Sequence, residues 1–370
     1  MTERAVRKST SPGEGSKLPR SPRSSPRSVP RSATGSPRQR QQQGHQEEQE
    51  DDYADNGEPE DGGDSDYAED FLSDTTSINS EITAYRFENG RRYHAYKDGA
   101  YWGPNDEQQN EQLDLAHHMF TILLGNRLVL APISDNIQNV LDVGTGTGIW
   151  AIDFADEYPS AEVIGSDLSP IQPSFVPPNL KFEIDDAEEV WLHPVNHFDL
   201  VHVRAMYGAI ADWPAFYRNA LRHIRPGGWI DQLEMSIEFR SDDGTVTDDH
   251  VLSVWSKTFI EAGERFGKTF RTADLAKGYM QEAGFQNVTE ERFKLPVGPW
   301  SKDRRLKKLG MWNLTHCEAG IEGWAMALLT RIMGWSYDEV QVFLAQMRQG
   351  LRDPNVHAYF YVVGVYGQKL

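Results

Sequence analysis

Asp142-Val143-Gly144-Thr145-Gly146-Thr147-Gly148, preceded by the apolar pair Val140-Leu141, has the residue types and spacing of a ligand-binding turn. Glycine lacks a side chain and tolerates positive φ, so a ligand can touch the backbone there. The spacing discriminates between ligands. A dinucleotide-binding turn requires G-x-G-x-x-G. Counted from Gly144, its third glycine would fall at position 149, which is Ile149; here Gly148 comes one residue early. Asp142 stands two residues before the first glycine, where a carboxylate repels a pyrophosphate. It suits a ligand carrying an ammonium and a sulfonium, a description that fits S-adenosylmethionine. A nicotinamide enzyme is therefore disfavoured. The chain contains no G-x-x-x-x-G-K-[ST], which argues against a P-loop.

The elements that must position this turn follow in order. Val140-Leu141 ends a buried strand, and 149–158 reads as a helix. Residues 162–167 form a short strand ending in Asp167, with Leu168 next. Asp167 lies about 20 residues past the glycine turn, where a βαβ unit presents an acid to ribose hydroxyls. A third strand, 180–184, leads to Asp185-Asp186-Ala187, where an acid can accept from an adenine amino group and a nearby backbone N–H can meet a ring nitrogen. A fourth strand is Phe198-Asp199-Leu200-Val201-His202-Val203-Arg204. Helix end, the Pro226-Gly227-Gly228 turn and a fifth strand are read over 221–230. The ligand-facing positions fall at the carboxyl ends of strands, where open α/β sheets bind ligands. The cofactor-binding set read from the chain is Asp142, Gly144, Thr145, Gly146, Gly148, Asp167, Leu168, Asp186 and Ala187.

Composition bounds the rest. The chain has 370 residues and a formal net charge of −19. Residues 1–40 carry +8 and residues 41–80 carry −14, leaving −13 for the remainder. Both N-terminal segments are poor in apolar residues, so 1–79 is expected to be a disordered arm, basic over 1–40 and acidic over 41–79. Ser21-Pro22-Arg23, Ser25-Pro26-Arg27 and Ser36-Pro37-Arg38 punctuate it. They read as a low-complexity tail or as kinase or nuclear-targeting sites. An acidic folded domain is a poor binder of a phosphate backbone, so no direct nucleic-acid contact is expected from it. The single cysteine, Cys317, excludes an intrachain disulfide and suits a reducing compartment. No apolar run reaches membrane-span length and no signal peptide is evident, so nucleus or cytoplasm is expected.

Residues 82–102 are dense in aromatics and cations, suited to dock on the core or to form a lid within 80–125. Pro104-Asn105 offers a cap for a helix beginning at Asp106-Glu107, with Leu113, Leu115, His118, Met119, Leu123 and Leu124 as its apolar face. Towards the C-terminus, 273–283 reads as a helix ending at Gly284, followed by a strand around 288–295. Ser336-Tyr337-Asp338-Glu339 is a capping box before a helix with Val340, Val342, Phe343, Leu344, Met347 and Leu351. A β-branched and aromatic strand, 359–366, closes the chain.

From about residue 80 to the end, the chain resembles the class I S-adenosylmethionine-dependent methyltransferases. More narrowly, it is similar to the fungal LaeA-like group tied to control of secondary metabolism. Besides the glycine turn and 198–204, the resemblance rests on Ser80-Glu81-Ile82-Thr83-Ala84-Tyr85-Arg86, Tyr93-His94-Ala95-Tyr96 and Tyr101-Trp102-Gly103-Pro104-Asn105-Asp106-Glu107. The tail from Gly334-Trp335 to Val365-Tyr366-Gly367 also carries it. It implies a Rossmann-like α/β fold with a seven-stranded, mostly parallel sheet, an antiparallel last strand, helices on both faces, and extra N- and C-terminal helices. It implies velvet-type regulatory proteins as partners for some members and small metabolites as acceptors for others. Methyl transfer mainly requires alignment of acceptor, methyl and sulfur. A general base is needed only if the acceptor must lose a proton early. Arg204, Tyr207 and Glu234 are the catalytic candidates. His202 reads as a satisfied core histidine rather than a base, and no residue set has metal-ligand spacing. Two functions stay open: a methyltransferase acting on a small metabolite or a protein, and a regulatory partner using the cofactor fold as a scaffold.

Overall fold

The computed structural model describes residues 82–370. The charged arm, its Ser-Pro-Arg triplets and Ser80-Glu81 lie outside the described residues. Arg86–Glu88 (β1) and Arg91–Tyr93 (β2) make an antiparallel hairpin, and Glu107–Leu123 (α1) follows. Seven strands then build the main sheet: Asn139–Val143 (β3), Glu162–Asp167 (β4), Leu180–Ile184 (β5), Phe198–Arg204 (β6), Ile224–Met235 (β7), Gln286–Pro296 (β8) and Tyr359–Gln368 (β9). Their order is β5-β4-β3-β6-β7-β9-β8. The first five in that order are parallel. The last strand in sequence, β9, runs antiparallel to both neighbours and sits one place in from the edge.

Helices cover both faces because successive strand residues point to opposite sides. Val140, Val163 and Leu200 pack with Trp150 and Phe154 of Ile149–Glu157 (α2). Leu141, Val201 and Val203 pack on the other face with Phe216 and Tyr217 of Trp213–His223 (α3) and Met280 of Thr272–Ala283 (α5). A third cluster joins α1 to Val251–Phe266 (α4), Arg304–Ala327 (α6) and Tyr337–Arg352 (α7). Strand β6 is buried over its first six residues, as a central parallel strand must be. Buried acids pin the sheet ends. Asp199 accepts from the amides of Gln138 and Asn139 (2.9 and 2.7 Å), and Asp231 from those of Leu130 and Ala131 (2.8 and 2.7 Å).

Several local expectations change. The cap of α1 is Asp106, whose side chain accepts from the Gln109 amide, while Asn105 donates to Ser169 Oγ instead. His117, not His118, lies on the buried face of α1, and Val342 of α7 is exposed. Strand β7 starts early, at Ile224, so Pro226-Gly227-Gly228 lies at its amino end, opposite the ligand-facing ends of the sheet. The capping box at Ser336 and Glu339 forms as the sequence suggests. Among the described residues no helix is long and apolar enough to cross a membrane.

Candidate cofactor-binding site

Gly144, Gly146 and Gly148 adopt φ of 69°, 59° and 80°, the left-handed region that glycine enters freely. Two of them also admit close neighbours: a Cβ on Gly144 would stand 2.2 Å from Met206 Sδ, and one on Gly148 2.3 Å from the Phe182 ring. The turn's amides are used internally. Gly144 and Thr145 both donate to the Ser166 carbonyl (2.9 and 2.9 Å), Gly146 donates to Asp167 Oδ2 (2.8 Å) and Gly148 to the Thr145 carbonyl (3.0 Å). An anion-binding turn needs such N–H groups free and pointing at its ligand. This turn offers none of those four to a phosphate.

Carboxylates surround it instead. Asp142, at the sheet's centre, accepts from His202 Nδ1 (2.8 Å) and Thr145 Oγ (2.6 Å). The His202 ring stacks on the Trp150 indole, with centroids 3.6 Å apart, so this histidine is a satisfied core residue. Asp167 ends β4 and accepts from the amides of Gly146 and Ser169. Burial raises its pKa to about 6 against the pull of those amides. Asp186 is bridged by Lys97 Nζ at 2.8 Å and accepts from the Glu188 amide. Burial pushes its pKa up, but the bonds from Lys97 and from that amide prevail and hold it below the usual value.

These groups border a cavity of about 150 Å³ that also takes in Leu168, Ala187 and, from the N-terminal segment, Tyr101, Asn105 and Leu113. Its one cation without a counter-charge is Arg204. Lys268, also on the wall, is held by Glu188 (2.6 Å). Arg204 donates to His117 Nδ1 (3.1 Å) and lies over the Phe120 ring, and among the described residues it pairs with no carboxylate. Burial lowers its pKa to about 10, so it stays charged at neutral pH. His117 is kept neutral by burial and by Arg204, and its Nε2 donates to Asp153 (2.9 Å). Acids for an ammonium and a diol, a guanidinium for a carboxylate, and a turn closed to phosphate fit S-adenosylmethionine.

Comparison with known proteins agrees. Residues 115–290 match the family described as a methyltransferase domain. "Methyltransferase pytC" of Aspergillus terreus is 40% identical over 300 residues, covering 80% of this chain and 92% of that protein. The chain is a class I S-adenosylmethionine-dependent methyltransferase. It belongs to the LaeA-like group: "Secondary metabolism regulator LAE1" of Cochliobolus heterostrophus is 36% identical, covering 74% of this chain and 91% of that one. "Protein-methionine methyltransferase laeA" of Emericella nidulans is 34% identical, covering 78% and 77%.

The three catalytic candidates of this methyltransferase part company. Arg204 lines the cavity. Tyr207 lies one residue beyond Met206, in a second, aromatic chamber, and burial raises its pKa above the usual phenol value. Glu234 lines neither space. Its Oε1 accepts from the Met206 amide (3.0 Å) and Gln232 Nε2 (2.9 Å), and burial raises its pKa to about 7. It buttresses the turn after β6. That turn is strained, with Ala205 at φ 55°. Sequence reasoning missed Lys97, Tyr101, Asn105 and Met206 as site residues. Only the density of aromatics and cations over 82–102 hinted at Lys97 and Tyr101.

Proposed function

We propose that this protein methylates an acceptor in fungal secondary metabolism, a small metabolite or a protein, with the cofactor seated over the glycine turn. The observation that carries the reading is the internal use of the turn's amides beside Asp142, Asp167 and an uncompensated Arg204. Asp142 faces the ammonium of the cofactor's methionine part and Arg204 its carboxylate. Gly144, Thr145, Gly146 and Gly148 leave bare backbone against it. Asp167, with Leu168 beside it, takes the ribose hydroxyls. Asp186 and Ala187 meet the adenine; each oxygen of Asp186 keeps a lone pair beyond those used by Lys97 and Glu188. When bound, S-adenosylmethionine would supply a methyl carbon activated by its sulfonium towards an acceptor lone pair, with the sulfur as leaving group. No cavity-lining residue is a histidine, and the chain's part is alignment and exclusion of water. Where the acceptor atom carries a proton, it leaves to solvent.

The catalytic domain is taken as 80–370, with 80–125 as a lid segment; Tyr101, Asn105, Leu113 and Phe120 on the cavity wall support this. Residence in nucleus or cytoplasm and velvet-type partners are part of the same proposal, supported by relatives named as regulators. Those names also favour a second reading, a regulatory scaffold that does not catalyse. Calorimetry of the full chain with S-adenosylhomocysteine and with NAD tests the site: the first should bind and the second should not. Gly146→Asp should abolish binding, since its side chain would enter the cavity. If cells carrying Gly146→Asp make the parental metabolite profile while a deletion strain does not, the scaffold reading replaces the catalytic one.

A further inference from the structure

Lys97 lies in a turn between β2 and α1, outside the cavity wall, yet it is tied to the end of the cavity bordered by Asp186 and Ala187. Its Nζ stands 2.8 Å from Asp186 Oδ2 and 2.5 Å from Glu189 Oε1. The backbone that delivers it is strained. Lys97 has φ 51°, in the left-handed region that a residue with a Cβ enters at a cost. Its carbonyl accepts from the Ala100 amide (2.9 Å) and lies 3.2 Å from His94 Nε2. Burial lowers the pKa of His94, so its ring is neutral and meets that carbonyl through Nε2–H.

The two bonds to Asp186 divide between its oxygens. The Glu188 amide, from the same turn, donates to Oδ1 (2.9 Å), and Lys97, from a segment far back in the chain, meets Oδ2. The amide alone would leave the carboxylate able to turn about χ2, a broad torsion. The ammonium removes that freedom. Among the described residues Lys97 is the only cation paired with Asp186; Lys268, the other cation nearby, is held by Glu188. Exposed ion pairs contribute little to stability, and the Glu189 side chain is 61% exposed. A strained turn with so little stability in return points to a constraint set by the site it serves.

We propose that Lys97 is a positioning residue for the cofactor: it fixes the Asp186 carboxylate so that a remaining lone pair meets the 6-amino group of adenine, and the site thereby selects a 6-amino purine over a 6-oxo purine. The inference rests on the assignment of Asp186 to the adenine above. It adds what sets that contact and which base the contact rejects. An ionised carboxylate accepts from an amino group and repels a carbonyl oxygen put in the same place. A site built around such a hydrogen bond discriminates because the wrong ligand leaves its polar group unpaired. Lys97 acts through Asp186, since it does not itself line the cavity.

The test uses the full chain and calorimetry with S-adenosylhomocysteine and S-inosylhomocysteine, which differ at the purine 6-position. The parent should bind the adenine compound about 30-fold or more tightly than the hypoxanthine one, the scale of a buried hydrogen bond to a charged acceptor. Lys97→Met should cut that ratio about fivefold or more, chiefly by weakening S-adenosylhomocysteine. Lys97→Arg, which keeps a cation within reach of Asp186, should bring the ratio back to within about threefold of the parent. Asp186→Asn should lower the ratio at least as far as Lys97→Met. Circular dichroism of each variant confirms the fold. An unchanged ratio in Lys97→Met, with Asp186→Asn lowering it, would overturn the role of Lys97 and leave the adenine assignment standing. Equal weakening of both ligands in Lys97→Met would also overturn it, because that is the mark of a turn that merely packs. A ratio that Asp186→Asn leaves unchanged would overturn the adenine assignment, and the proposal with it.

Discussion

If Asp167 holds the ribose as proposed, cofactor affinity should depend on pH. Both its oxygens already accept one backbone N–H each, and burial has raised its pKa to about 6. Ribose hydroxyls donate to the ionised form; protonation removes an acceptor and sets an O–H against the incoming diol. The unliganded site must therefore lose a proton before it binds well, and affinity should fall as pH drops through 6. With that value, the ionised fraction at pH 5.5 is about one quarter, so the dissociation constant should rise about fourfold between pH 8 and pH 5.5. Asp167→Asn should flatten that profile. Asp167→Ala should weaken binding at pH 8 by ~3 kcal/mol, the scale of hydrogen bonds to a charged acceptor, or about 100-fold. Calorimetry with S-adenosylhomocysteine at several pH values, with circular dichroism to confirm folding at each, reads all three quantities. A flat parental profile, or parental affinity in the alanine variant, would refute the assignment of Asp167 to the ribose.

Arg204→Met should weaken S-adenosylhomocysteine about 30-fold or more, the worth of a charge-assisted pair, and leave methylthioadenosine, which lacks the amino-acid part, within twofold. Equal effects on both ligands would remove the carboxylate assignment. Asp231→Ala leaves the buried amides of Leu130 and Ala131 without an acceptor and should cost ~2–5 kcal/mol in urea denaturation, whereas Asp231→Asn, which keeps one oxygen, should cost less than half of that. Glu234→Gln retains the acceptor for the Met206 amide, so turnover should stay within about threefold of the parent if the residue positions the turn; a loss of about 100-fold, the scale of general-base catalysis, would restore it as a base.

Features that depend on neighbours in sequence were legible before the structure. The glycine turn, Asp142 and Asp167 sit at fixed offsets in one βαβ unit, and the capping box at Ser336 is a four-residue signal. The strands of the main sheet were readable in outline, down to β9, although β7 starts earlier than its Pro226-Gly227-Gly228 turn suggests and the β1–β2 hairpin carries no such signal. What failed depended on side-chain direction or on distant segments. Glu234 and Met235 are adjacent, yet β7 sends Met235 to the aromatic chamber and Glu234 to the other face, towards Gln232 and the Met206 amide. His117 and His118 differ by one step of a helix, about 100° of rotation, and the buried one is set by Asp153 and Arg204, 36 and 87 residues away. Lys97 reaches Asp186 across a comparable span, which no local spacing announces.

The polar groups of the site divide into those the protein satisfies and those it leaves short. Asp142 has His202 and Thr145, Asp167 has two amides, Asp186 has Lys97, and Glu188 has Lys268. An acid-lined cavity can then persist without mutual repulsion unfolding it, and still present a negative field to a cationic sulfur. Arg204 has a neutral imidazole and an aromatic face but no counter-charge, and His316 has no hydrogen-bond partner among the described residues. A buried guanidinium without a carboxylate and a buried imidazole without a partner both cost stability. Each lies on the wall of a different chamber. The carboxylate of the cofactor's methionine part would relieve the first of these deficits, because Arg204 lines the cavity beside the glycine turn.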